Sequence, residues 1–160
     1  MLKLSKRADY ALLALQYMAT IQSGIDAHPR VVNTKEIAEE HHIPVELLAK
    51  VLQTLARHQL IESHHNGPKG SYVLGREPKD ITMAQVLEAI EGPLGLTDCS
   101  HERNDHSQCE QMNHCNIRTP LFKIQESIFQ LLNSMSIEDL LVEETPLIIV
   151  ESLKPQGVPL

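Results

Sequence analysis

Apolar residues recur at the period of a helix along most of this chain and at the period of a strand in one short region. Ala8, Ala11, Leu12, Leu15, Met18 and Ala19 share one face at 3.6-residue spacing, which predicts a helix from Lys6 to Gln22. Ser5 stands at its N-cap, and Asp9 falls in the first turn, where the helix dipole favours a carboxylate. A loop follows at Gly24 to Pro29. Asn33-Thr34-Lys35-Glu36 is a variant capping box, with Asn33 as cap and Glu36 reaching back. It predicts a short helix with Ile37 and Ala38 inward and Glu39 and Glu40 outward, ending near His41-His42. Ile43-Pro44 then turns, because proline disfavours helical geometry in the residue before it. A third helix is expected from Val45 to Gln59. Leu48, Val51, Leu52 and Leu55 face inward, and Glu46, Ala49, Lys50, Gln53 and Arg57 share the opposite face.

Leu60 to His64 and Ser71 to Leu74 read as strands, separated by the turn formers His65-Asn66-Gly67-Pro68-Lys69-Gly70. Two helices joined by a short turn and followed by a hairpin are the order of a winged helix-turn-helix. The second helix of that pair would enter a DNA major groove, and the hairpin would touch the adjacent backbone or minor groove. The competing reading is a purely structural three-helix unit with a decorative hairpin. Thr82-Met83-Ala84-Gln85 is a capping box opening a helix to Glu91, with Met83, Val86, Leu87 and Ile90 inward and Gly92-Pro93 as its stop.

Beyond a long polar stretch, Thr119-Pro120 opens a long helix, Thr119 as cap and Pro120 at the first position. Leu121, Ile124, Ile128, Leu131 and Met135 recur at spacings of three and four, widened by Phe122, Phe129 and Leu132. Such a stripe serves core packing or a partner seam, and a reader of palindromic DNA needs a dimer. Ser136-Ile137-Glu138-Asp139 restarts a short helix through Leu141, Pro146 to Val150 fits a strand, and Pro155 to Leu160 is a loose tail.

The fold class expected is mainly α with a small β-hairpin wing: a winged helix-turn-helix plus a long C-terminal dimerisation helix. Residues 1–80 form the DNA-binding domain, 81–98 a connecting helix and turn, 99–117 a cysteine loop, 118–142 the dimerisation helix and short helix, and 143–160 a tail.

Composition sharpens this outline. With 3% aromatic residues and no Trp, the core must be aliphatic. No apolar run approaches the roughly 18 residues of a membrane span. Lys3, Lys6 and Arg7 precede a five-residue apolar run, but Asp9 interrupts the junction, so export is not expected and the cysteines are read as reduced thiols or metal ligands in a cytoplasm. The net charge of −7 is uneven: residues 1–79 carry +2 and residues 80–160 carry −9. That asymmetry suits a DNA reader joined to a part that avoids phosphates, although uneven surface charge is equally ordinary.

On the reading face, Lys50 can donate to guanine and Gln53 can pair with adenine. Thr34, Lys35, Arg57 and Lys69 fit phosphate contacts. Glu46 could accept from cytosine or simply favour the helix N-terminus.

Three cysteines and three histidines lie in the seventeen residues from Cys99 to Cys115. Structural zinc sites use closer pairs than the gaps of nine and five found here, and wide gaps suit an iron–sulfur cluster held by thiolates. From residue types alone a cluster, zinc and no metal all remain open. There is no phosphate-cradling glycine loop, nucleophile elbow or HExxH motif, so no enzyme is expected.

The order of parts resembles the IscR/NsrR-type winged-helix regulators of bacteria, many of which hold an iron–sulfur cluster. The matching stretches are Leu4-Ser5-Lys6-Arg7-Ala8-Asp9-Tyr10-Ala11-Leu12, Thr34-Lys35-Glu36-Ile37-Ala38-Glu39, Ile43-Pro44-Val45-Glu46-Leu47-Leu48, Asn66-Gly67-Pro68-Lys69-Gly70-Ser71-Tyr72, Ile81 to Gly92, and Ser136-Ile137-Glu138-Asp139-Leu140, with three cysteines before the long helix. Within the family the chain looks most like regulators of the SUF cluster-assembly operon.

The resemblance implies a homodimer built on the long helix, with Cys99, Cys109 and Cys115 holding a cluster near the dimer interface, two irons favoured over four. Three features depart from the family pattern. His64-His65-Asn66 stands where Arg-Gly is common. Ala49 replaces a specificity-setting glutamate of IscR-type members. The Cys99–Cys109 spacer exceeds the five residues of NsrR-type members, whereas Cys109–Cys115 matches. IscR-type members supply a histidine three residues after the last cysteine, where Arg118 stands here. NsrR-type members supply an aspartate from the partner's first helix, and the matching residue is Asp9. Asp9 is therefore the preferred fourth ligand, with His101, His106 and His114 as local alternatives.

The function expected is a cytoplasmic repressor of iron–sulfur assembly genes that binds double-stranded operator DNA and senses cluster status, with neither a membrane nor a small-molecule substrate as partner. The alternatives are a zinc- or thiol-based redox regulator without a cluster, a nitric-oxide-responsive repressor, and a metal-binding interaction protein that never touches DNA.

Overall fold

Local capping signals define the first helix of the computed structural model, which describes residues 3–23, 30–64, 70–97, 111 and 114–141. Helix α1, Lys6–Gln22, starts where the Ser5 hydroxyl accepts from the Ala8 N–H at 3.2 Å. It buries Ala8, Ala11, Ala14, Leu15, Met18 and Ala19, a largely small-residue face that lets neighbouring helices approach closely. Strand β1, Val32–Asn33, leads directly into α2, Thr34–Glu40. Asn33 caps α2 by accepting from the Glu36 N–H at 2.9 Å. The Glu36 side chain does not reach back. It accepts from the Tyr17 hydroxyl at 3.1 Å and from Arg30 at 2.8 Å, fastening α2 to α1.

Among the described residues His42 and Gln59 are the non-glycine positions with left-handed backbone, at φ of 53° and 58°. Between them runs α3, Val45–Arg57, flanked by Pro44 and His58 as its caps and ending two residues before the expected Gln59. Leu48, Val51, Leu52 and Leu55 are buried, as their spacing requires.

Strands β2, Ile61–Ser63, and β3, Ser71–Leu74, pair antiparallel, with Ile61 opposite Leu74 and Ser63 opposite Tyr72. The wing has a third strand. β1 pairs on the other side of β3, with Val32 opposite Tyr72 and Asn33 opposite Ser71, giving the order β1-β3-β2. Two residues are too few to leave a period in the sequence, so β1 was not foreseeable from pattern.

A 3₁₀ turn at Pro78–Asp80 precedes α4, Met83–Glu91, whose N-terminus is a full capping box between Thr82 and Gln85. Val86, Leu87 and Ile90 are buried as expected, joined by Ala84 and Ala89, whereas Met83 is half-buried. The long helix α5 spans Arg118–Ser134. Its cap is Ile117 and not Thr119, which lies within the first turn. The Leu121 N–H bonds to the Ile117 carbonyl at 3.0 Å, and no side chain caps the end. After α5 the chain returns to α4. Ser136 bridges Thr82, the Met83 N–H donates to the Met135 carbonyl at 2.8 Å, and the Ile137 N–H donates to the Ile81 carbonyl at 2.9 Å. A 3₁₀ turn at Glu138–Leu141 follows and docks on α1, where the Gln16 side-chain amide donates to the Leu140 carbonyl at 2.7 Å.

The core is aliphatic except for Tyr72 and gathers α1, α2, α3, the sheet, α4 and Ile137. The expected loop at Gly24 to Pro29, the strand at Pro146 to Val150 and the terminal tail lie outside the described residues.

Candidate nucleic-acid interface

The core fixes α3 by one face and leaves the other to solvent. Glu46, Lys50, Gln53 and Arg57 are exposed along that outer face, with Ala49 half-buried beside them. The turn before α3 is tightly held. The Ile43 N–H donates to the Ala38 carbonyl at 2.9 Å, and the Leu47 and Leu48 N–H groups both donate to the Pro44 carbonyl at 3.0 Å. These bonds hold the turn between α2 and α3, and Pro44 to Leu47 are exposed at its exit. A long, regular helix with a free polar face, held by a helix and a sheet, has the geometry that enters a major groove.

The supporting residues divide. Lys35 is exposed in the first turn of α2. Thr34 is not available in the way its residue type suggests. It is 8% exposed, and both its N–H and its hydroxyl donate to the Gly70 carbonyl at 2.9 Å. It braces the base of the wing and does not project toward a phosphate. Gly70 has φ +81°, and a Cβ there would stand 3.0 Å from the Thr34 hydroxyl oxygen, so glycine is required at this junction. Lys69 lies outside the described residues. His64 is exposed at the described end of β2, and its N–H donates to the Ser71 carbonyl at 2.9 Å.

Sequence pattern alone passed over two features of this surface. Leu47 and Val45 are 47% and 44% exposed at the start of α3. On a helical wheel Leu47 falls at the edge of the polar arc, which is the signal that could have found it. Tyr17 was also missed. Its ring meets His41 edge-on with centroids 5.6 Å apart, and burial, followed by the hydrogen bond to Glu36, raises its hydroxyl pKa above the usual tyrosine value.

Of the proposed metal ligands, Cys99 and Cys109 lie outside the described residues. Cys115 is half-buried three residues before α5. Asp9 is exposed in the first turn of α1, its own N–H bonded to the Ser5 carbonyl at 3.1 Å. His114 is exposed, its N–H donating to the Gln111 carbonyl at 3.0 Å, and His101 and His106 lie outside the described residues. Among the described residues no group of three or more His, Cys, Asp or Glu side chains is placed to hold a metal ion. Of the donors described, the thiol at the root of α5 is of the type that holds iron in a cluster, whereas the open carboxylate on α1 is a harder donor.

Helix α5 is unlike the others. None of its residues is buried, and Phe122, Ile124 and Leu131 are 58%, 49% and 42% exposed, with Ile117 at 58% just before it. Leu132 is its described contact with the core. Among the described residues no helix is long and apolar enough to cross a membrane.

Residues 4–143 match the sequence model of the Rrf2 family, described as iron-dependent transcriptional regulators. The Mycobacterium tuberculosis protein Rv1287, named as an HTH-type transcriptional regulator, is 37% identical over 93 residues, which are 58% of this chain. The chain spans about half the length of that relative (54%). The HTH-type transcriptional regulator NsrR of Oceanobacillus iheyensis is 27% identical over 147 residues, covering 92% of this chain and 95% of that one. Among solved structures, CymR, the global cysteine regulator of B. subtilis, superposes with a TM-score of 0.65 at 26% identity, covering 88% of this chain and 97% of that one. IscR of T. potens superposes with a TM-score of 0.61 at 25% identity, covering 88% and 86%.

Proposed function

Since the chain belongs to the Rrf2 family of transcriptional regulators, we propose that it is a cytoplasmic, dimeric DNA-binding repressor of iron–sulfur assembly genes, its affinity for operator DNA governed by an iron–sulfur cluster. The observation that carries the DNA-binding part is the free polar face of α3, with Glu46, Lys50, Gln53 and Arg57 exposed on a helix whose opposite face is locked into the core. Lys50 and Gln53 read base edges, and Lys35, Arg57 and Lys69 hold phosphates. Thr34 acts indirectly, by holding the wing to α2.

The uncovered apolar stripe of α5 supports a homodimer. Ile124 and Leu131, two turns apart on one face of α5, would bury against a second copy, which also sets two α3 helices at the spacing of a palindromic site.

Cys99, Cys109 and Cys115 would hold the cluster, with Asp9 of the partner subunit as fourth ligand. When bound, the cluster supplies iron that oxidants or nitric oxide attack. The protein's own part is mechanical. Asp9 stands on α1, and α1 packs directly on α3 and α4. A tie from the cysteine loop of one protomer to α1 of the other therefore bears on the relative placement of the two α3 helices. A hard carboxylate among soft thiolates would be a labile ligand to such a cluster.

The similarity to CymR favours one second reading, a thiol-responsive regulator without a cluster. Iron and acid-labile sulfide analysis of anaerobically purified protein separates the two. Stoichiometric iron and sulfide support the cluster, and their absence with DNA binding intact supports the thiol reading. A salt titration of binding to duplex DNA tests the part they share, because neutralised phosphates impose a steep salt dependence.

A further inference from the structure

We propose that Leu47 reads thymine, burying its side chain against the C5 methyl group in the major groove beside Lys50 and Gln53. The proposal rests on the DNA-binding reading above and deepens it.

Helix α3 has six leucine and valine side chains, and they divide sharply. Leu48, Val51, Leu52 and Leu55 are at most 1% exposed, whereas Leu47 and Val45 are 47% and 44% exposed. Among the described residues neither Leu47 nor Val45 packs on the core. Leu47 lies in the N-terminal turn, anchored by its N–H to the Pro44 carbonyl at 3.0 Å. Lys50 and Thr54 continue its ridge at spacings of three and four. Thr54 turns its hydroxyl back to the Lys50 carbonyl at 3.0 Å. The N-terminal residues of a recognition helix reach deepest toward base edges. A branched hydrocarbon there cannot donate or accept, and the apolar feature a base pair offers in the major groove is the thymine methyl.

The charge on this surface argues for DNA over a second copy of the chain. Lys50 follows Leu47 by one turn and Arg57 stands at the far end of α3, with Glu46 the exposed carboxylate of this face, so the face carries a net positive charge that suits phosphates better than its own copy. Val45 lies two residues away, on the other flank of the helix, and is not part of the proposal.

The test uses the full-length protein and the duplex it selects from a random double-stranded library. Each thymine of that duplex is replaced in turn by deoxyuridine, which removes the methyl and keeps the pairing. At one position or more, wild type should lose about four-fold in affinity at fixed salt, the worth of one buried methyl group. Leu47→Ala should bind the thymine duplex several-fold more weakly, lose nothing further on the deoxyuridine duplex, and keep the wild-type salt slope. Leu47→Met should stay methyl-sensitive.

Indifference of wild type to every replacement overturns the proposal without touching the DNA-binding reading. So does an equal deoxyuridine penalty in wild type and Leu47→Ala. A change of oligomeric state in Leu47→Ala with DNA affinity unchanged would assign the side chain to a protein contact instead. Selection of no duplex at all refutes the DNA-binding reading, and this proposal with it.

Discussion

The backbone N–H of Ser5 donates to the Glu91 carboxylate at 2.9 Å, joining the N-cap of the first helix to the last residue of α4. One helical turn further, α1 carries Asp9. The opposite part of α1 is held by Gln16 on the Leu140 carbonyl. The first helix is thus fastened to both segments that flank the cysteine loop, α4 before it and the turn after α5. Glu91→Ala should cost about 1 kcal/mol, the usual net worth of such a bond, read as a lowered midpoint in thermal or urea denaturation. Glu91→Gln, which still accepts, should recover most of that loss.

The wing depends on Thr34 and Gly70. Thr34→Val keeps shape but leaves the Gly70 carbonyl without its hydroxyl donor, at a cost of about 1 kcal/mol. Gly70→Ala should cost more than that, because the backbone sits at φ +81° and the new Cβ would press on Thr34. Both variants should weaken DNA binding with little change in sequence preference. Equal stability of wild type and Gly70→Ala would count against this geometry.

Base reading and phosphate holding should separate by salt. Lys50→Ala and Gln53→Ala should each cost about 1–3 kcal/mol on the selected duplex and relax its specificity. Lys35→Ala should weaken all duplexes alike and make the slope of log affinity against log salt shallower by about one. Anisotropy titrations at several salt concentrations give both quantities.

Asp139 titrates with a direction that can be checked. The Ser136 N–H at 2.7 Å, and then its hydroxyl at 2.8 Å, hold the carboxyl below the ordinary aspartate value. A carboxyl lowered on folding stabilises the native state fully above its unfolded pKa, and that contribution fades as pH falls through the lowered value. Asp139 is exposed, so the effect is small. Wild type should melt slightly higher than Asp139→Asn near neutral pH, and the gap should narrow as the pH is taken from about 6 to about 3.

Periodicity made the helices legible because each buries one stripe: the spacing of Leu48, Val51, Leu52 and Leu55 allows no other face inward. Caps were legible where they are local, as with Ser5, Asn33 and Thr82. Non-local features were not. Glu36 has the residue type of a capping-box partner, but Tyr17 and Arg30 claim its carboxylate. Thr34 has the residue type of a phosphate ligand, but its hydroxyl donates to the carbonyl of Gly70, 36 residues away. The two-residue β1 has no period to read, and Ile117 displaced Thr119 as the start of α5 without any side-chain cap. The outer face of α3 was readable in the sequence. The exposure of Leu47 beside it was overlooked because the residue is apolar, although its place at the edge of the polar arc was there to read. The long apolar stripe of α5 allowed core or partner, and its exposure in a single chain favours the partner.

In the proposed mechanism a cluster held between the cysteine loop and Asp9 of the partner subunit sets the grip on DNA. The most direct measurement compares holo and apo dimers, matched in salt and protein concentration, on the selected duplex. The two affinities should lie at least about ten-fold apart, a coupling of about 1.4 kcal/mol. Equal affinities would contradict it.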